Sequence, residues 1–217
     1  MARSKTTAKA PLSVAEVFST PIDPARHNKR ELLILYAVRV FHQQGVHGTG
    51  IAEVMKLAGV GKGQFYHYFE NKEQFICEVV RFITDDFLTR IAPFTYRLES
   101  MDRFDAWFQP YLDFAELPRH LGCPVGGIAS EMSPSHPAVR ACVALCLQRW
   151  VMALAEGLSV LQQKTGAGGD FQPLQLAEEM AAGIQGALLM CRAMQSTRYI
   201  YSLRERQRNR LLALLPG

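Results

Sequence analysis

Apolar residues recur every three or four positions along most of the chain, which is the period of an amphipathic α-helix. Before Gly45, the positions that follow this spacing are Leu33, Ile34, Ala37, Val40 and Phe41. The same period predicts further helices over about 71–91, 101–117, 124–131, 138–164, 173–197 and 199–214. Strand-like alternation never extends beyond a few residues, so we predict an all-α fold.

Residues that start or stop helices divide the chain. Asn71 is a suitable N-cap for a long helix that ends before Pro93, and Pro173 suits a first helical position. We predict three parts: a flexible N-terminal arm over residues 1–25, a helical head over 26–72 and a larger helical domain over 73–217.

Residues 49–69 read as two short helices joined by a tight glycine turn. Ile51, Val54 and Ala58 share one face of the first helix, and Phe65 and Phe69 give the second helix an apolar side. Between the helices, Gly59 stands where the chain needs a left-handed backbone. This is a helix-turn-helix, in which the second helix enters the major groove of DNA.

Residues 28–76 closely resemble the TetR family of transcriptional regulators. The matching positions are Arg30-Glu31, Thr49, Ile51, Val54, Ala58-Gly59-Val60, Lys62-Gly63, Tyr66-His67-Tyr68-Phe69 and Lys72-Glu73. Two positions depart from the family pattern: Met55 replaces a small Ala, and Gly61 replaces the Ser that caps the second helix. The resemblance implies a three-helix DNA-binding head followed by a helical domain for ligand binding and dimerisation.

The resemblance also places the DNA contacts, which we predict at Thr49, Lys62, Gly63, Gln64, Tyr66, His67 and Lys72. Gln64 is the best candidate for reading a base, because its amide can bond adenine through two hydrogen bonds. Tyr66 and His67 resemble the family's phosphate-contacting pair, and such contacts set register without reading sequence. We expect Phe65 and Phe69 to be core residues.

One head reads only a few base pairs, so specific binding predicts a homodimer on a near-palindromic site in double-stranded DNA. The last two long helices are suited to form it, since small residues lie beside bulkier apolar ones: Ala182, Gly183, Gly186 and Ala187 beside Leu176, Met180 and Leu188. The family resemblance implies a four-helix bundle there. The alternative is that these residues pack only within their own domain.

The middle of the chain is aromatic and is expected to hold a small-molecule effector. Our candidate effector contacts are Trp107, Phe108, Tyr111, Cys123 and Trp150. Cavities of this apolar kind are typical of small-molecule sites. The absence of a charge cluster among the aromatic residues predicts that the effector is not highly charged.

Residues 120–132 resemble a Gly-Cys segment found in TetR-type repressors that answer to electrophiles such as N-ethylmaleimide and acrylate-type compounds. Cys123 and Glu131-Met132 match this segment, whereas Pro124 and Gly127 depart from it. We expect the N-terminus of the helix after Cys123 to lower the pKa of the thiol and favour the reactive thiolate. The alternative is that Cys123 is simply a small buried residue.

Composition limits the remaining possibilities. A net charge of +4 permits nucleic-acid binding without predicting it, and five cysteines without metal-like spacing favour a reduced, cytoplasmic protein. We expect no secretory signal, no membrane span, no metal and no cofactor. Cys142 and Cys146 are expected to be core residues.

Two other functions fit parts of the chain. A DNA-organising protein that ignores small molecules would share the same head. An enzyme built on His120, Cys123 and Glu131 is the second, but the chain has no glycine-rich phosphate loop and no metal signature, and these residues crowd one short segment. We therefore predict a dimeric transcriptional repressor that a small molecule or electrophile releases from its operator, and not an enzyme.

Overall fold

The computed structural model describes residues 12–48, 50–117, 122–132 and 135–216. Across these residues the chain forms ten α-helices and two single 3₁₀ turns, with no strand. The helices are α1 (Val14–Ser19), α2 (Lys29–Gln44), α3 (Ile51–Ala58), α4 (Lys62–Tyr68), α5 (Lys72–Thr95), α6 (Phe104–Ala115), α7 (Pro124–Met132), α8 (Pro137–Thr165), α9 (Pro173–Met194) and α10 (Arg198–Leu214). The all-α prediction is confirmed.

The starts of several helices follow local sequence signals. Asn71 caps α5 by accepting a hydrogen bond from the Gln74 backbone N–H at 2.8 Å, as predicted. Pro173 opens α9, also as predicted. The predicted end of α5 before Pro93 is wrong, because the helix continues through the proline to Thr95. Packing of the buried Ile91 and Thr95 side chains holds this last turn despite the missing proline N–H.

The head consists of α2, α3 and α4, packed on the first turns of α5. Aromatic rings fill the junction: the Phe69 and Phe75 centroids lie 4.8 Å apart, and those of Phe65 and Phe75 lie 5.2 Å apart. All three side chains are buried. Because Phe75 belongs to α5, the head shares its core with the helix that leads into the larger domain.

A short helix stands within the segment predicted as a flexible arm. Ser13 and Glu16 form a capping box at the start of α1, and Val14 and Val17 are buried. Arg39 of α2 binds the other end of α1, with Nε donating to the Val17 carbonyl at 2.9 Å. Residues 12–22 are therefore packed against the body of the protein, and residues 1–11 lie outside the described part of the chain.

The larger domain is built around α8, which packs against α5 on one side and α9 on another, while α10 covers α9 and α6. Within the described residues, α8 is the one helix with the length and apolar composition of a membrane span. Its side chains Leu154, Leu158 and Leu161 are buried between neighbouring helices, as expected for a core helix.

Candidate nucleic-acid interface and ligand cavity

The turn between α3 and α4 has the geometry that the sequence predicts. Gly59 adopts φ 61° and ψ 46°, in the left-handed region, and the backbone N–H of Val60 donates to the Met55 carbonyl at 2.9 Å. Lys29 of α2 closes the end of α3, since its Nζ donates to the Ala58 carbonyl at 2.9 Å. The angle between the two short helices is thus fixed by backbone contacts and by α2.

One face of α4 is left in solvent. Lys62, Gln64, Tyr66 and His67 are exposed, with Tyr66 at 53% of its full accessibility. Phe65 faces the opposite way and is buried, as expected. The exposed face therefore carries a cation, an amide, a phenol and an imidazole, which are the groups that contact phosphates and base edges.

Two glycines keep the start of α4 free of side chains. Gly61 is the N-cap and offers no side-chain hydrogen bond, and a Cβ at Gly61 or Gly63 would meet nothing within 4 Å. The glycines are therefore not needed for internal packing. Open space at this end permits another molecule to approach the backbone closely.

Lys72 is exposed at the first turn of α5, beside the end of α4. Its neighbourhood is held by Arg30 of α2, whose guanidinium pairs with Glu78 at 2.6 Å and lies 5.4 Å from the centre of the Phe69 ring. Thr49, the remaining predicted DNA contact, lies outside the described residues. The structure thus places Lys62, Gln64 and Tyr66 on α4 and Lys72 in the first turn of the following helix.

A narrow apolar cavity of about 70 Å³ lies in the larger domain. Five of its helices and α1 contribute to the wall, which consists of Val14, Ile83, Thr84, Phe87, Arg90, Tyr111, Phe114, Cys123, Pro124, Val125, Cys146, Leu147, Trp150, Ile184, Gln185 and Leu188. Tyr111, Cys123 and Trp150 were expected here. Trp107 and Phe108 are buried outside this wall, and the Trp107 indole packs on Gly157 of α8, where an added Cβ would lie 2.9 Å from Nε1.

A wider concavity of about 1170 Å³ runs between α5, α8 and the start of α9. It is an open groove with Leu145 and Met152 exposed along it, so a small molecule there would remain largely in water. Small-molecule sites bury most of the ligand surface. The narrow cavity is for that reason the better candidate for a ligand site.

Cys123 lies at the start of α7 in the cavity wall. Its sulfur accepts hydrogen bonds from the Gly126 backbone N–H at 3.3 Å and from the Gln185 amide at 3.4 Å. Burial nevertheless raises the pKa of the thiol, and these hydrogen bonds offset only part of the effect. The expectation of a lowered pKa was wrong, because the loss of hydration outweighs the helix N-terminus.

The other candidate cysteines are buried between helices. Cys142 donates to the Cys77 carbonyl at 3.6 Å, and burial, with Cys77 beside it, raises the pKa of Cys142 to about 11. Cys146 is also buried and reaches the cavity wall. These are neutral thiols packed in the core, in keeping with the sequence prediction for this pair.

The helix α7 connects the cavity to the head. Cys123 stands at its first end, and Glu131 in its last turn accepts a hydrogen bond from the His47 backbone N–H at 3.0 Å. The Glu131 carboxylate also fills the space over Gly45, where an added Cβ would lie 2.5 Å from Oε1. We call residues 45–48, between α2 and α3, the head loop. The helix α7 therefore joins the cavity wall directly to the loop that precedes the helix-turn-helix.

One face of α9 carries small and apolar residues in contact with solvent. Ala182, Gly186, Leu189 and Ala193 follow helical spacing and are all exposed, with Leu189 at 66%. By contrast, Gly183 lies against Leu203 of α10, whose Cδ1 would be 3.0 Å from an added Cβ. The small residues of α9 therefore have two roles. Gly183 packs against α10 within the chain, whereas Ala182 and Gly186 belong to an apolar face that no described residue covers.

Three parts of the site were missed from sequence. Arg90 reaches the cavity although the aromatic cluster appeared free of charge, and its position in the wall depends on how α5 packs on α8. Val14 was assigned to the flexible arm. The Ser13–Glu16 capping box was the sequence signal that could have predicted a helix there. Gln185 was overlooked among the small residues of α9, and no local pattern marks it.

Family models of known proteins match both the helix-turn-helix head and the larger helical domain. Residues 33–79 match the family described as bacterial regulatory proteins, tetR family, and residues 100–206 match the tetracyclin repressor-like, C-terminal domain. The transcriptional regulator AcuR of Cereibacter sphaeroides is 30% identical over 152 residues, which is 68% of each chain. The HTH-type transcriptional repressor DhaR of Mycobacterium sp. (strain GP1) is 28% identical over 168 residues, covering 76% of this chain and 83% of the relative.

Among solved structures, the reduced form of E. coli NemR superposes with a TM-score of 0.72 at 24% identity. The match covers 88% of this chain and 99% of NemR. At this identity the likeness shows the fold.

Proposed function

The chain belongs to the TetR family of helix-turn-helix transcriptional regulators, and on that premise we propose that it is a homodimeric repressor released from its operator by a small molecule. The observation that carries the release mechanism is α7, which begins in the wall of the ligand cavity and ends on the head loop. A filled cavity thereby changes the position of the head.

DNA recognition is assigned to α4 and the residues around it. Gln64 reads a base edge, and Lys62 binds a guanine edge or a phosphate. Tyr66, His67 and Lys72, together with Thr49, bind the backbone and set the register, while Gly63 lets α4 approach closely. The exposure of the five described side chains in this set supports the assignment.

Dimerisation is assigned to α9 and α10. The exposed face formed by Ala182, Gly186, Leu189 and Ala193 gives each protomer an apolar strip with room for a close helix approach. A two-fold axis through this strip pairs identical surfaces, and the proposed repressor requires that the two copies of α4 lie on one side of the dimer. The operator is then a near-palindrome whose half-sites lie in successive major grooves.

Release from DNA follows from a difference in affinity between two conformations. A ligand that fits the cavity better when α7 is displaced favours the state in which the two α4 helices no longer match the grooves. Couplings of about 1–3 kcal/mol change operator affinity roughly 5- to 150-fold. Because the cavity is only about 70 Å³, a bound molecule must displace part of the wall, and α7 is the part of the wall that ends on the head loop.

The trigger is assigned to reversible binding and not to attack by Cys123. The thiol lines the cavity, but its raised pKa keeps it protonated near neutral pH, and the thiolate is the nucleophile. A ligand therefore meets Cys123 as a neutral, polarisable wall residue.

Each of the three predicted parts of the chain is assigned a role. Residues 26–72 bind DNA, and residues 73–217 bind the effector and dimerise. The segment 1–25 contributes α1 to the cavity wall through Val14. The protein acts in the cytoplasm, where the DNA that it regulates lies.

Fluorescence anisotropy on DNA upstream of the protein's own gene tests the proposal. Purified protein should bind this DNA tightly, as one dimer per near-palindromic site, and small molecules that fill the cavity should release it. An electrophile that releases wild type and the Cys123→Ser variant equally supports reversible binding. Loss of release in Cys123→Ser alone would instead assign the trigger to adduct formation.

A further inference from the structure

Gln64 and Tyr68 are bonded to each other on one face of α4. They stand four positions apart, a spacing that brings side chains together on a helix. The Gln64 amide nitrogen Nε2 donates to the Tyr68 hydroxyl at 3.2 Å. Because Gln64 is the residue proposed to read a base edge, a contact that fixes its amide also affects the choice of base.

The two side chains differ in their freedom to move. Gln64 is exposed, whereas Tyr68 is half-buried and packs against the core of the head. The Tyr68 ring centre lies 5.6 Å from that of His67 and 6.4 Å from that of Phe69. An exposed glutamine loses rotamer freedom when it is ordered on a partner, and a contact that orders it beforehand lowers this cost of binding. Tyr68 therefore serves as a fixed anchor for a mobile amide.

The hydrogen bond also limits what Gln64 can offer to a base. A glutamine amide carries two N–H donors and one carbonyl oxygen. With one N–H directed to Tyr68, a single donor and the acceptor remain. In the major groove, adenine presents the acceptor N7 and the donor N6–H, which match this set, whereas guanine presents two acceptors. On guanine the Gln64 carbonyl would face an acceptor and stay unbonded, which is unfavourable.

We propose that Tyr68 is a positioning residue for base recognition, whose hydroxyl holds the Gln64 amide so that α4 reads adenine in preference to guanine. Tyr68 acts through Gln64 and does not itself contact the base. This inference rests on the proposed function, since it requires that Gln64 lies at a base edge. It adds to that function the identity of the base and the residue that selects it.

Removal of the hydroxyl tests the proposal. Tyr68→Phe keeps the ring that packs on the head and loses the acceptor for Gln64. Anisotropy titrations use full-length protein on two operator DNAs, which carry adenine or guanine at the position where Gln64→Ala changes the preference. Wild type should prefer adenine by roughly five- to 150-fold. Tyr68→Phe should lose about two- to tenfold of this ratio, because an amide without its anchor turns to suit either base.

Tyr66→Phe is the matched control, since it removes a hydroxyl from the same helix at a residue proposed to bind the DNA backbone. It should weaken binding to both operators equally and leave their ratio at the wild-type value. Thermal unfolding of both tyrosine variants checks that the head stays folded.

The double variant Gln64→Ala/Tyr68→Phe separates positioning from an independent contact. Once the amide is absent, loss of the hydroxyl should cause no further change in the adenine-to-guanine ratio. A wild-type preference for guanine, or a Tyr68→Phe variant with the wild-type ratio, overturns the proposal while the repressor function stands. Absence of specific operator binding in wild type, or unchanged preference at every position in Gln64→Ala, would refute the proposed DNA recognition and this inference with it.

Discussion

The carboxylate of Glu131 holds the backbone N–H of His47 at 3.0 Å, and the His47 ring nitrogen Nε2 lies 3.1 Å from the Glu131 carbonyl oxygen. Residues 84 positions apart in sequence are thus joined at the point where α7 meets the head loop. Gly45, at φ 78°, makes room for the carboxylate, because any side chain there would collide with it.

Removal of this contact should loosen the head. In Glu131→Ala, the His47 N–H loses its acceptor, so its hydrogen exchange should become faster. Operator affinity should fall roughly five- to thirtyfold, which corresponds to about 1–2 kcal/mol for a lost charge-assisted hydrogen bond. Hydrogen exchange and anisotropy measure the two effects. Glu99→Ala, altered at an exposed residue between α5 and α6, is the control, and unchanged exchange at His47 would show that other contacts hold the head loop.

Base reading and backbone binding, as proposed for α4 and the start of α5, should separate in two variants. Gln64→Ala should change sequence preference at one position of each half-site, with a loss of about 1–3 kcal/mol on the preferred base. Lys72→Ala should weaken binding to all sequences and reduce the dependence of log K on log salt by about one unit per half-site. Binding titrations on a set of single-base operator variants, at several salt concentrations, measure both effects.

Equal changes of sequence specificity in Gln64→Ala and Lys72→Ala would contradict the assignment of base reading to Gln64 and backbone binding to Lys72. The wild-type protein on an unrelated sequence gives the reference for binding without base reading. Glu70→Ala, at an exposed position between α4 and α5, serves as a control for general surface effects.

His42 should make stability depend on pH. Burial, assisted by the charge of Arg192, lowers the pKa of His42 from 6.5 to about 4. Between these values the unfolded chain binds a proton that the folded protein does not, so the free energy of unfolding falls as pH decreases from 6.5 to about 4, by on the order of 3 kcal/mol in total. Above 6.5 the imidazole is neutral in both states, and its contribution no longer changes.

Urea unfolding at several pH values across this window measures the effect. His42→Gln cannot be protonated, so it should lose most of the decline that wild type shows. His67→Gln, altered on the exposed face of α4, should decline as wild type does. A decline of the same size in His42→Gln would assign the pH dependence to other groups.

The exposed face of α9 should be required for dimerisation. Leu189→Glu places a charge in the middle of this face, where a dimer would bury it without a partner, so the variant should be monomeric at micromolar concentration. Light scattering after size-exclusion chromatography measures the mass. Leu145→Glu changes another exposed leucine, on α8, and should stay dimeric. The reverse pattern would place the interface on the α8 groove.

Much of the head could be predicted from sequence because its determinants are local. The apolar spacing around Val54 and Ala58, the left-handed Gly59 and the cap at Asn71 act over a few residues, and each behaves in the structure as its sequence predicts. Phe65 was expected in the core for the same reason, since the helical period alone decides which side of α4 it occupies.

The cavity and its link to the head were decided by packing between distant segments. Neither the place of Arg90 in the cavity wall nor the contact from Glu131 to His47 follows from a local pattern, because each depends on where α5 and α7 lie against other helices. The same holds for Cys123: its sequence neighbours predict a lowered pKa, but burial beside α9 removes the water that a thiolate needs and raises it. Local sequence thus determined most of the helices and the exposed face of α4, whereas the desolvation and polar pairing in the cavity wall arose only from the tertiary structure.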